Sequence, residues 1–239
     1  MADTTPSAEE GLTHTATVEF EGRSYVFNTH GPGDRIGSRL AARAKFHELR
    51  TLKAVRRLGL GGIYFDIGGH IGNHSVFFGN ECRCERLYTF EFNPASIELL
   101  RANLRANVAL PWHIVTELLG RRGESYDAGY IDEGNTGSFR IKPGSTHKAA
   151  ALDDLFPDLT GLSFMKLDIE GGELAALEGG AELIERNRPV ITTECGHEHE
   201  AEAIGEFLKQ FGYRRGKSYN APPNIFWHPP GRIRRLLGG

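Results

Sequence analysis

Two acids and a glycine-rich loop are the residues of this chain best suited to bind a ligand. The apolar run 63–65 is typical of a buried parallel strand, and it leads into Asp66 and the glycine-rich segment 68–72. Glycine lets backbone pass close to a ligand. A second apolar run, 87–90, ends at Glu91. Because neighbouring parallel strands end at the same sheet edge, we expect Glu91 beside the loop, where its carboxylate can accept hydrogen bonds from both hydroxyls of a ribose.

The spacing of the glycines narrows the choice of nucleoside. A dinucleotide fingerprint needs glycines at relative positions one, three and six, but the third position is His70 when counted from Gly68 and Ile71 when counted from Gly69. The lysine and hydroxyl residue of a phosphate-binding loop are also missing. What remains is Asp-x-Gly-x-x-x-Gly, which resembles the first motif of class I S-adenosylmethionine-dependent methyltransferases. That ligand has an adenosine and an amino acid but no phosphate.

A second group of polar residues lies in Lys166-Leu167-Asp168-Ile169-Glu170. If this strand stays extended to its end, Lys166, Asp168 and Glu170 project to one side and the two apolar residues to the other. Open α/β sheets bind ligands at the carboxyl edge of their strands, the edge that also carries Asp66 and Glu91. The segment therefore predicts a polar wall for the same ligand site.

Several segments between Phe46 and Trp227 together resemble the FkbM-type methyltransferases. The signature there commonly reads Lys-hydrophobic-Asp-hydrophobic-Glu-Gly-small-Glu, which matches Lys166 to Glu173. The supporting segments are 66–72, 90–94, 135–138, 152–155 and Arg188-Pro189. His70 and His74 depart from the family, which more often has asparagine and tyrosine or threonine at these positions.

This resemblance implies transfer of a methyl group from S-adenosylmethionine, with S-adenosylhomocysteine as product, to a hydroxyl of a small metabolite, sugar or natural product. Asp168, Glu170 and His197 are the predicted catalytic residues, because a carboxylate or imidazole at the sheet edge can take the acceptor's proton; His199 is a rival. The predicted cofactor-binding residues are Asp66, Gly68, His70, Gly72, Asn73, Glu91, Phe92, Glu117 and Asp168. Glu173 is expected to serve the structure of the helix start.

A metal site is not predicted. The run His197-Glu198-His199 has the spacing of an exposed loop and forms no closed shell of ligands. Magnesium held by Asp168 and Glu194 is chemically possible, but nothing in the spacing requires it. Two other functions stay open: a nicotinamide-dependent oxidoreductase, which the glycine spacing disfavours, and a cofactor-binding scaffold without catalysis.

The elements that must position these residues alternate between strand and helix from Ile63 onward, which predicts an α/β fold with a mostly parallel sheet. The resemblance implies a Rossmann-like sandwich with seven strands and helices on both faces. Strands are expected at 113–118, 162–169 and 189–194 in addition to the first two, with a polar insert at 120–150. Before the sheet, a hairpin about Glu21-Gly22 and a helix over 38–58 are expected to cover the ligand site.

Composition and length suit one such domain. We predict a disordered lead-in at 1–15, a methyltransferase domain at 16–228, divided into a cover at 16–60 and a core at 61–228, and a basic tail at 229–239. A net charge of −3 gives no general field for nucleic acid, and no apolar stretch or signal segment indicates a membrane partner. Three cysteines without a disulfide or zinc pattern favour a reduced cytoplasmic setting. The identity of the acceptor and the oligomeric state stay open.

Overall fold

The computed structural model describes residues 14–31, 34–130 and 139–231. The chain begins with a hairpin of β1 (His14–Phe20) and β2 (Arg23–Thr29), followed by α1 (Arg35–Arg43) and α2 (Leu49–Arg57). The predicted hairpin is confirmed, and His14 and Thr15 belong to β1 rather than to a disordered lead-in. The lead-in residues 1–13 and the tail residues 232–239 lie outside the described part.

The prediction of one helix over 38–58 is wrong, because the chain turns between α1 and α2. Ala44 and Glu48 both adopt left-handed backbone conformations, with φ of 47° and 54°. The turn places Phe46 in an aromatic cluster, with ring centroids 5.2 Å from Phe77 and 5.1 Å from Tyr25. Burial of this ring holds together the hairpin, the turn and the helix that contains Phe77.

A seven-stranded sheet forms the centre of the protein, in the order β11-β12-β10-β9-β3-β4-β5. Its strands are β3 (Ile63–Ile67), β4 (Arg86–Phe90), β5 (Trp112–Val115), β9 (Leu162–Leu167), β10 (Val190–Glu194), β11 (Arg214–Tyr219) and β12 (Asn224–His228). Five neighbouring strands of this sheet, in the order β10-β9-β3-β4-β5, are parallel to one another. The strand β12 is antiparallel to both of its neighbours, β10 and β11. The expected Rossmann-like architecture is confirmed.

Helices pack on both faces of this sheet and divide the core into two large apolar clusters. The first cluster includes residues of the hairpin, α1, α2, α3 (Asn73–Glu81) and α4 (Pro94–Asn107). The second includes residues of α5 (Leu152–Leu155), α6 (Glu173–Glu178), α7 (Ala181–Asn187) and α8 (Glu198–Lys209). As predicted, Asn93 caps α4, since its side chain accepts a hydrogen bond from Ala95 N at 3.1 Å.

The polar insert forms a separate three-stranded sheet of β6 (Ser125–Tyr130), β7 (Phe139–Pro143) and β8 (His147–Lys148). The predicted turn at 134–138 lies outside the described residues. Two strands end earlier than predicted: β5 ends at Val115 instead of residue 118, and β9 ends at Leu167 instead of residue 169. The early end of β9 matters for the site, because its acids Asp168 and Glu170 then lie in a loop.

Candidate active site

A cavity of about 800 Å³ lies at the carboxyl edge of the parallel strands, beneath the N-terminal cover. Its volume falls within the range of pockets that bind small molecules. The loops after β3, β4, β5, β9 and β10 form its floor, while α1 and the turn before α2 form its roof. The N-terminal segment therefore covers the cavity at the sheet edge where the ligand site is predicted.

The glycine loop after β3 is fixed by its neighbours in the sheet. The N–H groups of Gly68 and Gly69 both donate to the carbonyl of Phe90, at 3.0 and 2.9 Å. Gly68 has a φ of 84°, and a Cβ there would lie 1.8 Å from the carbonyl oxygen of Asp168. The lack of a side chain at Gly68 is thus required by backbone packing inside the protein. Gly72, which was predicted to bind the cofactor, packs toward Leu100 and does not line the cavity.

Asp66 does not line the cavity either, because its side chain is fully buried beneath the loop. It accepts a hydrogen bond from Ser75 Oγ at 2.6 Å and lies 3.1 Å from Lys166 Nζ. Lys166 also donates to the Gly68 carbonyl at 2.9 Å and lies 3.5 Å from Asp168. In place of the predicted ligand contact, Asp66 holds the lysine that joins the ends of β3 and β9.

Asp168 lies at the junction between this buried network and the cavity, with 25% of its side chain exposed. Burial opposes its ionisation, but Lys166 and a hydrogen bond from Glu194 lower its pKa overall. The pKa of Glu194 shifts in the opposite direction. Burial and the charge of Asp168 raise it to about 10. At neutral pH the pair therefore consists of an ionised Asp168 and a protonated Glu194.

Glu170 completes an acidic group with Asp168 and Glu194, whose nearest carboxylate oxygens all lie within 4.8 Å of one another. Its backbone is left-handed, with a φ of 55°, so the assumption of an extended strand through this residue is wrong. Glu173 shapes the loop by accepting from the N–H groups of Ile169 and Gly171, at 2.8 and 3.0 Å. The structural role expected for Glu173 is confirmed.

Glu91 lies in the cavity wall at the end of β4, as predicted. Its two carboxylate oxygens accept hydrogen bonds from His70 N at 2.8 Å and Asn93 N at 2.7 Å. Burial raises the pKa of Glu91, although these backbone donors oppose the rise. Each oxygen can accept more than one hydrogen bond, so acceptor capacity remains on the cavity side.

His70 projects from the loop with a left-handed backbone and lines the cavity. Both of its ring nitrogens are shielded from solvent and have no hydrogen-bond partner among the described residues. Burial lowers the pKa of His70 to about 4, so the ring is neutral. A buried imidazole without a partner is costly unless a ligand supplies one.

The roof of the cavity is attached to the floor by contacts that the sequence motifs did not predict. The amide of Asn73 accepts from His47 N at 2.9 Å and donates to the His47 carbonyl at 3.2 Å. Asn73 lines the cavity, but its side chain is committed to this turn instead of being free for the cofactor. Glu48 accepts from Asn224 at 2.9 Å and lies 3.2 Å from His74. These contacts join segments more than 20 residues apart, which explains why local patterns missed them.

The remaining predicted residues lie around the cavity. Phe92 and Glu117 line it after β4 and β5, and His197 lines it at the start of α8. His199 does not line it, and Glu198 pairs with Arg215. Among the described residues, Asp168, Glu170 and Glu194 are the three side chains that lie close enough to share a metal ion. The segment His197–His199 forms no such group within the described part of the chain.

Comparison with known families decides the class of this site. The FkbM methyltransferase domain matches residues 66–215, which is more than half of the chain. The chain belongs to the FkbM methyltransferase family. This membership confirms the predicted methyltransferase family and its cofactor, S-adenosylmethionine. No curated protein matches the chain.

Solved structures with the same fold are only distantly similar in sequence. A methyltransferase FkbM from Methylobacillus flagellatus KT has a TM-score of 0.52 and 20% identity, over 70% of this chain and 43% of that one. A 16S rRNA N2 methyltransferase from T. thermophilus, in complex with AdoMet and guanosine, has a TM-score of 0.53 and 14% identity, over 90% and 50%. A precorrin-6y C5,15-methyltransferase from Geobacter metallireducens GS-15 has a TM-score of 0.50 and 16% identity, over 75% and 87%. This chain thus spans less than half of the FkbM structure that it resembles.

The residues of the cavity fit the family's cofactor. Glu91 offers carboxylate oxygens beside the glycine loop, and His70 offers ring nitrogens without a partner in the described part. The acids at the other end of the floor, Asp168 and Glu170, supply negative charge that suits a sulfonium and an ammonium group. The described helices include none that is long and apolar enough to cross a membrane.

Proposed function

We propose that this FkbM-family methyltransferase methylates a hydroxyl oxygen of a small molecule. The observation that carries the proposal is the carboxylate of Asp168, which lies in the cavity wall beside Glu170 and Glu194 and 3.5 Å from Lys166. A hydroxyl acceptor must lose a proton as it is methylated, and a positioned carboxylate can receive it. The nicotinamide alternative is set aside because the chain belongs to a methyltransferase family.

The bound cofactor supplies an activated methyl group, so the protein's tasks are orientation and proton removal. In this proposal Glu91 and the backbone at Gly68 to His70 hold the adenosine end. Asp168 takes the acceptor's proton, because it is the ionised member of its pair with Glu194. Lys166 keeps Asp168 charged and fixes its position, while Glu170 and His197 are alternative bases at the same edge.

The lowered pKa of Asp168 makes it a modest base. Because two further acids lie close to Asp168, binding of a metal ion is a second possible role for this carboxylate. Asp168, Glu170 and Glu194 could together hold a divalent cation, which would lower the pKa of the acceptor hydroxyl. We favour the metal-independent route, since Lys166 already neutralises part of this charge. The two routes differ in their response to chelation.

Calorimetry with S-adenosylhomocysteine and NAD tests the cofactor, and release of S-adenosylhomocysteine with a library of hydroxyl and amine compounds tests the transfer. We expect S-adenosylhomocysteine to bind and NAD not to bind. We also expect turnover of hydroxyl compounds, and this turnover should persist in EDTA. Turnover confined to amines would refute the proposal, and cofactor binding without any turnover would favour the inactive scaffold. The three unpaired cysteines support a cytoplasmic setting for this reaction.

A further inference from the structure

The roof and floor of the cavity carry opposite charges. The roof contributes five cationic side chains to the lining, from α1 and the segment that follows it: Arg35, Arg39, Arg43, Lys45 and Arg50. The acids Asp168, Glu170 and Glu194 lie on the floor, at the ends of β9 and β10. A molecule that spans the cavity therefore meets positive charge at one end and negative charge at the other.

The three arginines of α1 form one stripe along the helix. Arg35, Arg39 and Arg43 are spaced four residues apart, which places them on the same side of α1. The opposite side of the helix is anchored at Gly37, which is buried against Thr29, and the neighbouring Leu40 is fully buried in the core. The stripe thus faces the cavity because the apolar side of α1 is fixed against the protein.

Four of these five cations are exposed, and within the described part of the chain they have no carboxylate partner. No carboxylate among the described residues lies within 4.0 Å of a side-chain nitrogen of Arg35, Arg43, Lys45 or Arg50. Arginines elsewhere commonly have such partners, namely Arg23 with Glu81, Arg121 with Glu124 and Arg122 with Asp154. The two acids in this part of the lining have other partners: Asp34 caps α1 by accepting from Ile36 N at 2.9 Å, and Glu48 accepts from Asn224 at 2.9 Å.

Arg39 is the arginine held most firmly. It is half-buried, and one of its guanidinium nitrogens lies 3.3 Å from Nε2 of His47. Burial lowers the pKa of His47 to about 4, so this ring is neutral and accepts the hydrogen bond. The neutral His47 ring therefore orients the guanidinium of Arg39 in the roof.

The cofactor alone does not account for this concentration of charge. S-adenosylmethionine has a single carboxylate, whereas the stripe of α1 extends for about 12 Å along the helix axis. The segment 35–57 carries eight lysines and arginines against one acid, Glu48, in a chain whose net charge is −3. Five of these eight line the cavity, and a concave site suits a small anion better than an extended polyanion.

We propose that the methyl acceptor carries an anionic group, a carboxylate, phosphate or sulfate, which the arginines of α1 bind while the acceptor hydroxyl lies at Asp168. This inference rests on the proposed methyl transfer and adds the chemical class of the substrate. Planar guanidinium groups bind carboxylate and phosphate oxygens in pairs, so three of them in a row also select for the orientation of the acceptor.

The test measures anion binding directly, so it does not depend on finding the natural acceptor. Inorganic pyrophosphate, glucuronate, glucose 6-phosphate and neutral glucose are titrated by calorimetry into protein saturated with S-adenosylhomocysteine. We expect the anions to bind and glucose not to bind. The variant Arg35→Gln/Arg39→Gln/Arg43→Gln should weaken pyrophosphate binding by about tenfold for each arginine removed. Comparison of glucuronate with glucose 6-phosphate distinguishes a carboxylate from a phosphate.

Two variants control for effects on folding and on bulk charge. Arg57→Gln removes an exposed arginine outside the cavity lining and should leave pyrophosphate affinity unchanged. The triple arginine-to-lysine variant keeps the charge and should recover part of the affinity. Binding of S-adenosylhomocysteine should be retained in all variants.

The proposal would be overturned if no anion binds, or if pyrophosphate binds the triple glutamine variant as tightly as the wild type. Tighter binding of a short single-stranded RNA, lost in the same variant, would overturn it in favour of a nucleic-acid substrate. Failure of the wild type to bind S-adenosylhomocysteine would instead refute the proposed methyl transfer, and the anion titration can be repeated on the protein alone.

Discussion

Replacement of Lys166 by methionine tests whether the buried ionic network supports the active site. The lysine side chain is 3% exposed and lies 3.1 Å from Asp66 and 3.5 Å from Asp168. Burial alone would lower the pKa of Lys166, but the two carboxylates raise it above its ordinary value, so the amine is charged. Lys166→Met keeps a long apolar stem and removes the charge, which leaves Asp66 with Ser75 as its remaining side-chain partner within the described residues.

Loss of one member of a buried ion pair costs about 3–5 kcal/mol, because the other charge stays buried without compensation. For a domain of this size, each kcal/mol lowers the melting temperature by about 2–4 °C. We therefore expect Lys166→Met to melt about 6–20 °C below the wild type. Urea unfolding followed by circular dichroism should give the same loss of free energy with an unchanged m-value.

Two controls make this result specific to the network. Lys209→Met breaks an exposed pair, in which the side chains of Lys209 and Glu206 are 73% and 76% exposed, and should leave stability unchanged. The double variant Lys166→Met/Asp66→Asn removes both buried charges and should recover at least part of the lost stability. A change of less than about 1 kcal/mol in Lys166→Met would refute the reasoning, because it would mean that the carboxylates are hydrated or protonated without the lysine.

Three further predictions concern the acids of the cavity. Glu91→Gln keeps the size of the side chain and should weaken S-adenosylhomocysteine binding by about 1.5–3 kcal/mol in calorimetry, the range for hydrogen bonds to a charged group, and unchanged affinity would exclude the ribose contact. Asp168→Asn should reduce turnover by about 10²–10⁴-fold at nearly constant cofactor affinity, and full turnover would transfer the role of base to Glu170 or His197. Burial and the charge of Asp168 raise the pKa of Glu194 in the folded protein to about 10. At a pH above its ordinary pKa, Glu194 therefore keeps its proton in the folded protein and loses it in the unfolded chain. Wild-type stability should therefore fall relative to Glu194→Gln as pH rises from about 5 toward 10, and parallel stability curves in urea melts would contradict this assignment.

The sequence alone determined the fold class and the floor of the site. Alternating strands and helices predicted the parallel sheet, and the carboxyl ends of parallel strands must meet at one edge. The glycine loop, Glu91 and Asp168 could therefore be assigned to the same cavity from strand positions alone. Local signals also identified the hairpin and the Asn93 cap, because the residues that form these features are neighbours in the chain.

Tertiary structure decided which way individual side chains face once the backbone leaves a regular element. Asp66 was expected in the cavity but is buried against Lys166. The position of Gly68 requires glycine because a Cβ there would collide with the backbone of Asp168. Both contacts join residues about 100 positions apart in the sequence. The break between α1 and α2 follows from the burial of Phe46 among aromatic rings of β1, β2 and α3. Helical spacing puts Arg35, Arg39 and Arg43 on one side of α1, but the burial of Gly37 and Leu40 turns that side toward the cavity. Periodicity fixes which residues share a face, and burial of distant partners fixes where that face points.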